Sequence, residues 1–257
     1  MHLRFLGCHH TETARTRLSS ILINGEMVLD AGAITSTLSA EEQNRIKAVL
    51  ITHCHYDHIR DLPTLALAGL ETGATILVYA AAETIDVLRG NLLDGTMYPN
   101  FAAIPSAEQP RLKMVEVQPW REREVSGLLC TPVPMDHAVP AVGYRVAAPG
   151  GGSFFYTGDT GGGIARVWGD LDAELLIVET TFPNAQAEFA ELTRHMTPAS
   201  LERELADISH LGLDLPRVIV VHMNTRAEEE IVAELRVVAE RTGASITPAY
   251  EGMLVEV

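Results

Sequence analysis

The stretch Ala48-Val49-Leu50-Ile51-Thr52-His53-Cys54-His55-Tyr56-Asp57-His58 decides the reading of this chain. Its first part, Ala48 to Thr52, is apolar and β-prone and reads as a buried strand. Its second part places His53, His55, Asp57 and His58 on the loop that this strand delivers. Alternate residues of an extended segment point the same way, so His53 and His55 can converge on one ion. Asp57 and His58 then face a neighbouring ion. Imidazole together with carboxylate suits zinc, iron or manganese. The competing account is a surface loop merely rich in histidine, and the buried strand leading into the cluster argues against it.

Two ions need more ligands than these four. Three further candidates each stand at a strand end. His137 lies in Pro134-Met135-Asp136-His137, after a strand ending at Val133. Asp159 lies in Tyr156-Thr157-Gly158-Asp159-Thr160-Gly161, and His222 closes the apolar run Val218 to Val221. A carboxylate offers two oxygens, so Asp159 is the natural bridge between ions. Each residue alone could be a turn aspartate or a capping histidine. Beside the cluster they read as ligands.

Outward from the cluster, strands are expected at Leu3 to Leu6, Leu18 to Ile23 and Met27 to Leu29, the last two joined through the hairpin signal Asn24-Gly25. Ser39 with Glu42 predicts a capping box, and so does Thr225 with Glu228, which should open a helix to about Arg241. Helices are expected over Asp61 to Glu71, Ala81 to Arg89, Asn184 to Arg194 and Pro198 to Leu211, with Pro198 suited to a first helical position after Thr197. Strands resume at Ile76 to Tyr79, Lys113 to Val117, Glu124 to Val133, Gly143 to Ala147, Ser153 to Tyr156, Leu175 to Glu179 and Arg217 to Val221. Ile246 to Val257 reads as a closing hairpin or strand. Two blocks of strands, each followed by helices, predict an α+β fold of two packed sheets with helices outside. The whole of 1–257 reads as one domain. Residues 91–110, with Pro99, Pro105 and Pro110, form the expected insertion or lid. The Met and aromatic residues of that segment could cover a base or pack into a core.

A chain of 257 residues can bury a sizeable core. Its net charge of −15 opposes nucleic acid as a partner. A small phosphorylated substrate held by metal is less affected, because the ions supply a local positive field. The three cysteines, Cys8, Cys54 and Cys130, match no zinc or redox spacing and read as free thiols in a reducing cytoplasm. Met1 to Gly7 lacks the pattern of a signal peptide. No run of 18 apolar residues occurs, so no membrane partner is expected.

The H-x-H-x-D-H run, followed in order by His137, Asp159 and His222, resembles the metallo-β-lactamase superfamily over nearly the whole chain. The resemblance implies a four-layer αββα sandwich with the site on one edge. It implies two divalent metal ions, zinc before iron or manganese. One would take His53, His55 and His137, the other Asp57, His58 and His222, with Asp159 bridging. Asp30, in Val28-Leu29-Asp30-Ala31-Gly32, matches the superfamily's buried aspartate near the metals.

Finer features are similar to class II cyclic-nucleotide phosphodiesterases: Glu179-Thr180-Thr181-Phe182-Pro183-Asn184 leading to His195-Met196-Thr197-Pro198, Tyr98-Pro99-Asn100-Phe101 with Ile104-Pro105, and His137-Ala138-Val139-Pro140-Ala141. RNase Z shares part of this pattern but would add a long arm for tRNA, which the sequence lacks. The chain also departs from the phosphodiesterases. It has Gly7-Cys8-His9-His10-Thr11 where they have a glycine-rich turn, Tyr56 in place of the usual Leu, and Asn224 where a lysine commonly follows His222.

The resemblance therefore implies hydrolysis of a small phosphodiester, such as a 3',5'-cyclic nucleotide, by a metal-bridging hydroxide. His195 would donate a proton or contact the phosphate, with Glu179 fixing its tautomer, and Asp57 would join them in the chemistry. A homodimer is compatible with this reading. Two alternatives stay open: an RNase Z-like ribonuclease, and a non-hydrolytic diiron protein that binds dioxygen or senses redox state, to which His9 and His10 draw attention.

Overall fold

The structure, a computed structural model, describes residues 1–70 and 73–257. Seven strands form each of two sheets. The first sheet begins with β1 (His2–Gly7), β2 (Ser20–Ile23), β3 (Met27–Leu29), β4 (Ala48–Leu50), β5 (Ile76–Ala80) and β6 (Leu112–Glu116). The second holds β7 (Arg123–Val125), β8 (Leu128–Met135), β9 (Ala141–Ala147), β10 (Ser153–Tyr156), β11 (Leu175–Glu179), β12 (Arg217–Val221) and β13 (Ile246–Pro248). The last strand, β14 (Leu254–Glu256), returns to the first sheet beside β1.

Side-chain alternation sorts these strands into three apolar layers. Ile21, Ile23 and Leu50 point between the sheets, where they meet Tyr144, Phe154, Tyr156 and Ile177. Leu22, Val28 and Val49 point the other way, onto a helical layer carrying Ile34, Ile59, Leu62 and Leu65. On the far side Phe155, Leu176, Val178 and Val220 face Trp168, Leu201, Leu205 and Leu235. Strands buried on both faces need continuous apolar runs, which is how β4, β11 and β12 read. The result is the four-layer αββα sandwich.

The strands from β3 to β6 run parallel, as do those from β10 to β13. Ligands in open parallel sheets bind beyond the carboxyl ends of strands. Beyond those ends lie Asp30 after β3, His53 after β4, Asp159 after β10 and His222 after β12, while β8 runs out to His137.

Local signals mostly hold where the partner is local. Asn24 and Gly25 both take positive φ, 50° and 74°, and the Glu26 N–H closes the turn on the Ile23 carbonyl at 3.1 Å. The Ser39–Glu42 capping box forms, and Thr197 caps the helix Pro198–His210. The second expected box does not form. The helix Glu228–Thr242 starts after Ala227 without a side-chain cap. Its two intended partners are taken by distant groups instead: the Thr225 hydroxyl lies 2.8 Å from that of Thr11, and Glu228 faces His9.

The expected strand Glu124 to Val133 is two strands, because Ser126 and Gly127 adopt positive φ in a tight turn. The closing segment is not a hairpin, since β13 and β14 join different sheets. The helix expected over Asp61 to Glu71 spans Leu62–Ala68, and Glu71 lies outside the described residues. A further helix, Ile164–Leu171, buries Ile164, Ala165, Trp168 and Leu171 along one face. Within 91–110, Leu92, Leu93 and Phe101 pack in the outer core of the first sheet. The cavity described below is lined by other segments.

Candidate metal centre

The carboxyl ends of the two sheets bring the expected ligands together. The ligand atoms of His53, His55, His137 and Asp159 lie within 4.8 Å of one another, and so do those of Asp57, His58, Asp159 and His222. Asp159 belongs to both sets. His53 and His58 are fully buried, and Asp159 and His222 nearly so. His222 sits at φ 62°, outside the region most residues adopt, and its N–H is held by the Cys8 carbonyl at 2.6 Å.

The hydrogen bonds behind the cluster decide which ring nitrogen each histidine presents. The Thr52 hydroxyl donates to Asp30, so it accepts from His53 Nδ1 at 3.0 Å. His58 Nδ1 donates to Asp30 Oδ2 at 2.7 Å. His137 Nδ1 donates to the Arg194 carbonyl at 3.0 Å. The Thr181 hydroxyl donates to Glu179 at 2.6 Å, so it accepts from His222 Nδ1 at 2.8 Å. With each ring neutral, as a bound cation would hold it, the proton sits on Nδ1 and Nε2 is bare. These bare atoms converge: His222 Nε2 lies 3.5 Å and His58 Nε2 3.4 Å from Asp159 Oδ1, while His53 Nε2 is 3.7 Å from Asp159 Oδ2. His55 enters with its Nδ1, 3.1 Å from His137 Nε2.

Buried polar atoms are almost always paired, and each left alone costs about 1–3 kcal/mol. Here His53 Nε2, His58 Nε2 and Asp159 Oδ1 are buried without a hydrogen-bond partner. Bare imidazole nitrogens gathered round carboxylates suit divalent cations and little else. The donor set therefore fits the two ions expected from sequence.

Burial holds the His53 imidazole well below its ordinary pKa. Burial acts the same way on His58, but Asp159, Asp30 and Asp57 outweigh it and raise that group well above. Asp159 is held low against burial by His222 and His58. Asp57 is also held low against burial, by His58 and His222.

Beside the cluster, His195 Nδ1 meets Glu179 Oε1 at 2.7 Å, and its ring stacks on His222 with centroids 5.5 Å apart. Burial lowers its pKa, but the Glu179 carboxylate raises it more, to about 9. Glu179 is fully buried and also accepts the backbone N–H groups of Thr160, Thr181 and Met196. A cavity of about 550 Å³ opens over this arrangement, lined by His10, Thr11, Glu12, Leu18, Tyr56 and the site residues His55, Asp57, Asp159, His195 and His222. Asn224 turns its side-chain oxygen to the Arg226 N–H.

The orienting groups are what sequence reasoning missed. Thr52, Thr181, Tyr156 and the Arg194 carbonyl carry no motif of their own, although Thr52 and Thr181 stand beside residues that do. His9, to which the sequence draws attention, is not among the residues lining the site cavity. It instead forms a neighbouring group with Cys8 and Glu251, its Nδ1 2.7 Å from Glu251. Among the described residues the cysteines are free, as expected.

Comparison with known proteins agrees with this architecture. Residues 27–223 match the family described as the β-lactamase superfamily domain, and the chain belongs to that superfamily, whose metallo-enzyme branch has this αββα fold. Within it the chain is 28% identical over 179 residues to a probable 3',5'-cyclic-nucleotide phosphodiesterase of Yersinia pestis, covering 62% of this chain and 50% of that protein. It is 25% identical over 256 residues to a ribonuclease Z of Thermobifida fusca, covering 74% and 72%. The chain thus spans about half the length of the phosphodiesterase. Unliganded yeast PDE1 superposes with a TM-score of 0.83 at 17% identity, over 100% of this chain and 99% of that one, a likeness of fold.

Proposed function

We propose that this protein is a metal-dependent phosphodiesterase acting on a small phosphodiester, with a 3',5'-cyclic nucleotide the first candidate and two zinc ions the first choice of metal. One observation carries the reading. Four histidines are pinned at Nδ1 by the protein and turn bare Nε2 atoms toward one buried carboxylate, Asp159. His53, His55 and His137 would hold one ion, and Asp57, His58 and His222 the other, with Asp159 shared. Ions bound there supply a nucleophilic water at neutral pH and neutralise charge growing on the phosphoryl oxygens.

The chain's own groups do the rest. His195 is fixed at Nδ1 by Glu179, which leaves its Nε2–H free for a bound molecule. It hands that proton to the departing ribose oxygen, and Glu179 stabilises the ring through the transfer. Asp57, on the cavity wall, offers an oxygen to the proton of the attacking water. The acidic chain and a cavity lining without Lys or Arg favour a small substrate over RNA. A reducing cytoplasm suits the free thiols.

The test is metal analysis together with turnover of bis-p-nitrophenyl phosphate and cyclic AMP by the zinc, manganese and iron forms. Two ions per chain and diester turnover are expected. Cleavage of precursor tRNA with no turnover of either small diester would instead identify a ribonuclease. An iron charge-transfer band with no diesterase activity would identify a redox or dioxygen-binding protein.

A further inference from the structure

His10 differs from the other imidazoles around the cavity. His53, His58, His137, His195 and His222 each have Nδ1 fastened by a protein group, and His55 Nδ1 faces His137. The His10 side chain makes no hydrogen bond among the described residues, and its Nδ1 is buried without a partner. Only ring contacts hold it: edge-on to His222 with centroids 5.4 Å apart, and tilted against Phe182 at 6.1 Å. Its backbone is set by the N–H bond to the Met223 carbonyl at 3.3 Å. The ring is thus oriented by packing, while its polar capacity is unspent.

The ring also reaches the cavity in which a substrate anion would sit. His10 lines the cavity together with Asp57, Asp159, His195 and His222. It stands outside both clusters of ligand atoms, so it is placed to meet a bound molecule rather than an ion. His10 and His195 each pack against both His222 and Phe182. Among the described residues no Lys or Arg lines the cavity. Glu12, on the cavity wall, pairs with both Arg60 and Arg17. Substrate oxygens that reach past the metal ligands therefore meet imidazole and hydroxyl groups of the cavity wall.

Resting on the phosphodiesterase reading, we infer that His10 is a substrate-contacting residue. It donates a ring N–H to a phosphoryl or ester oxygen of the bound diester. Losing one hydrogen bond to a charged group weakens binding by roughly tenfold.

The experiment compares wild type, His10→Ala and His10→Gln, each loaded with zinc. It measures metal content, kcat and KM for bis-p-nitrophenyl phosphate, and inhibition by inorganic phosphate. The expected result is unchanged metal content in all three and a KM, with the phosphate inhibition constant, raised about tenfold in His10→Ala. His10→Gln, which keeps an N–H donor, should recover most of that loss. Wild-type constants in His10→Ala would overturn the inference, as would a loss of bound metal that explains the defect. A wild-type protein without diester turnover would overturn the parent reading and this one with it. Normal wild-type turnover with an unaffected His10→Ala would remove this inference alone.

Discussion

Two buried carboxylates stand behind the site, one in each sheet, and they orient histidines by different means. Asp30, after β3, accepts the Thr52 N–H and hydroxyl, His58 Nδ1 and the Tyr156 hydroxyl. Most of these donors are side chains, and Tyr156 comes from the opposite sheet. Glu179, at the end of β11, accepts three backbone N–H groups along with the Thr181 hydroxyl and His195. Asp30 touches a metal-ligand candidate directly and ties the sheets together. Glu179 reaches His222 only through Thr181 and reserves a direct bond for His195. The first carboxylate is thus built to fix ligands and the second to govern a proton.

Removing each carboxylate tests that contrast. Asp30→Ala leaves His58, Thr52 and Tyr156 without their buried acceptor. It should cost about 3–5 kcal/mol of stability, read by denaturant unfolding, and abolish metal retention. If it folds with wild-type stability and metal content, the contrast is broken. Glu179→Gln turns an amide N–H toward groups that are themselves donors. Turnover should fall about 10²–10⁴-fold, while His53, His55 and His137 keep their metal. His195→Ala should lower turnover about 10²-fold with both ions retained, measured by single-substrate kinetics and metal analysis. Thr181→Val cuts the relay from Glu179 to His222 and should weaken one metal by about 10–100-fold, read by competition with a chelator.

The smallest effect concerns pH. In metal-free protein His195 should titrate near pH 9 by NMR, and in Glu179→Gln it should fall toward the ordinary 6.5, because burial is then opposed only by the weaker pull of Asp159 and Asp57. The sign for stability follows. A folded pKa above the unfolded one stabilises fully below about pH 6.5, and the contribution is lost as pH rises through about 9. A His195 midpoint unmoved by the substitution would break the assignment of Glu179 as its partner.

The two regions also differed in how far they could be read. The first-sheet ligands are contiguous, so spacing alone brought His53, His55, Asp57 and His58 together, although Asp57 and His58 sit in the short helix Tyr56–Ile59 rather than on the expected loop. His137, Asp159 and His222 could be placed only by their positions at strand ends, and their meeting depends on two sheets packing face to face. The capping boxes make the same point. Ser39 and Glu42 found each other because no outside group competed. Thr225 and Glu228 were claimed by Thr11 and His9 from the first loop.

The amino-acid order by itself determined the alternation of apolar strands, the strand-end positions of the histidines and aspartates, and the choice of residues able to hold a divalent ion. Those properties follow from side-chain chemistry and from the two-residue and 3.6-residue periods of the backbone. Tertiary structure alone decided which nitrogen each imidazole turns inward, that the His9 ring is hydrogen-bonded while that of His10 is not, and that Leu92, Leu93 and Phe101 pack into the outer core of the first sheet. These outcomes depend on partners far away in the chain, and a hydrogen bond acts only across about 3 Å of space, a distance that sequence separation does not measure.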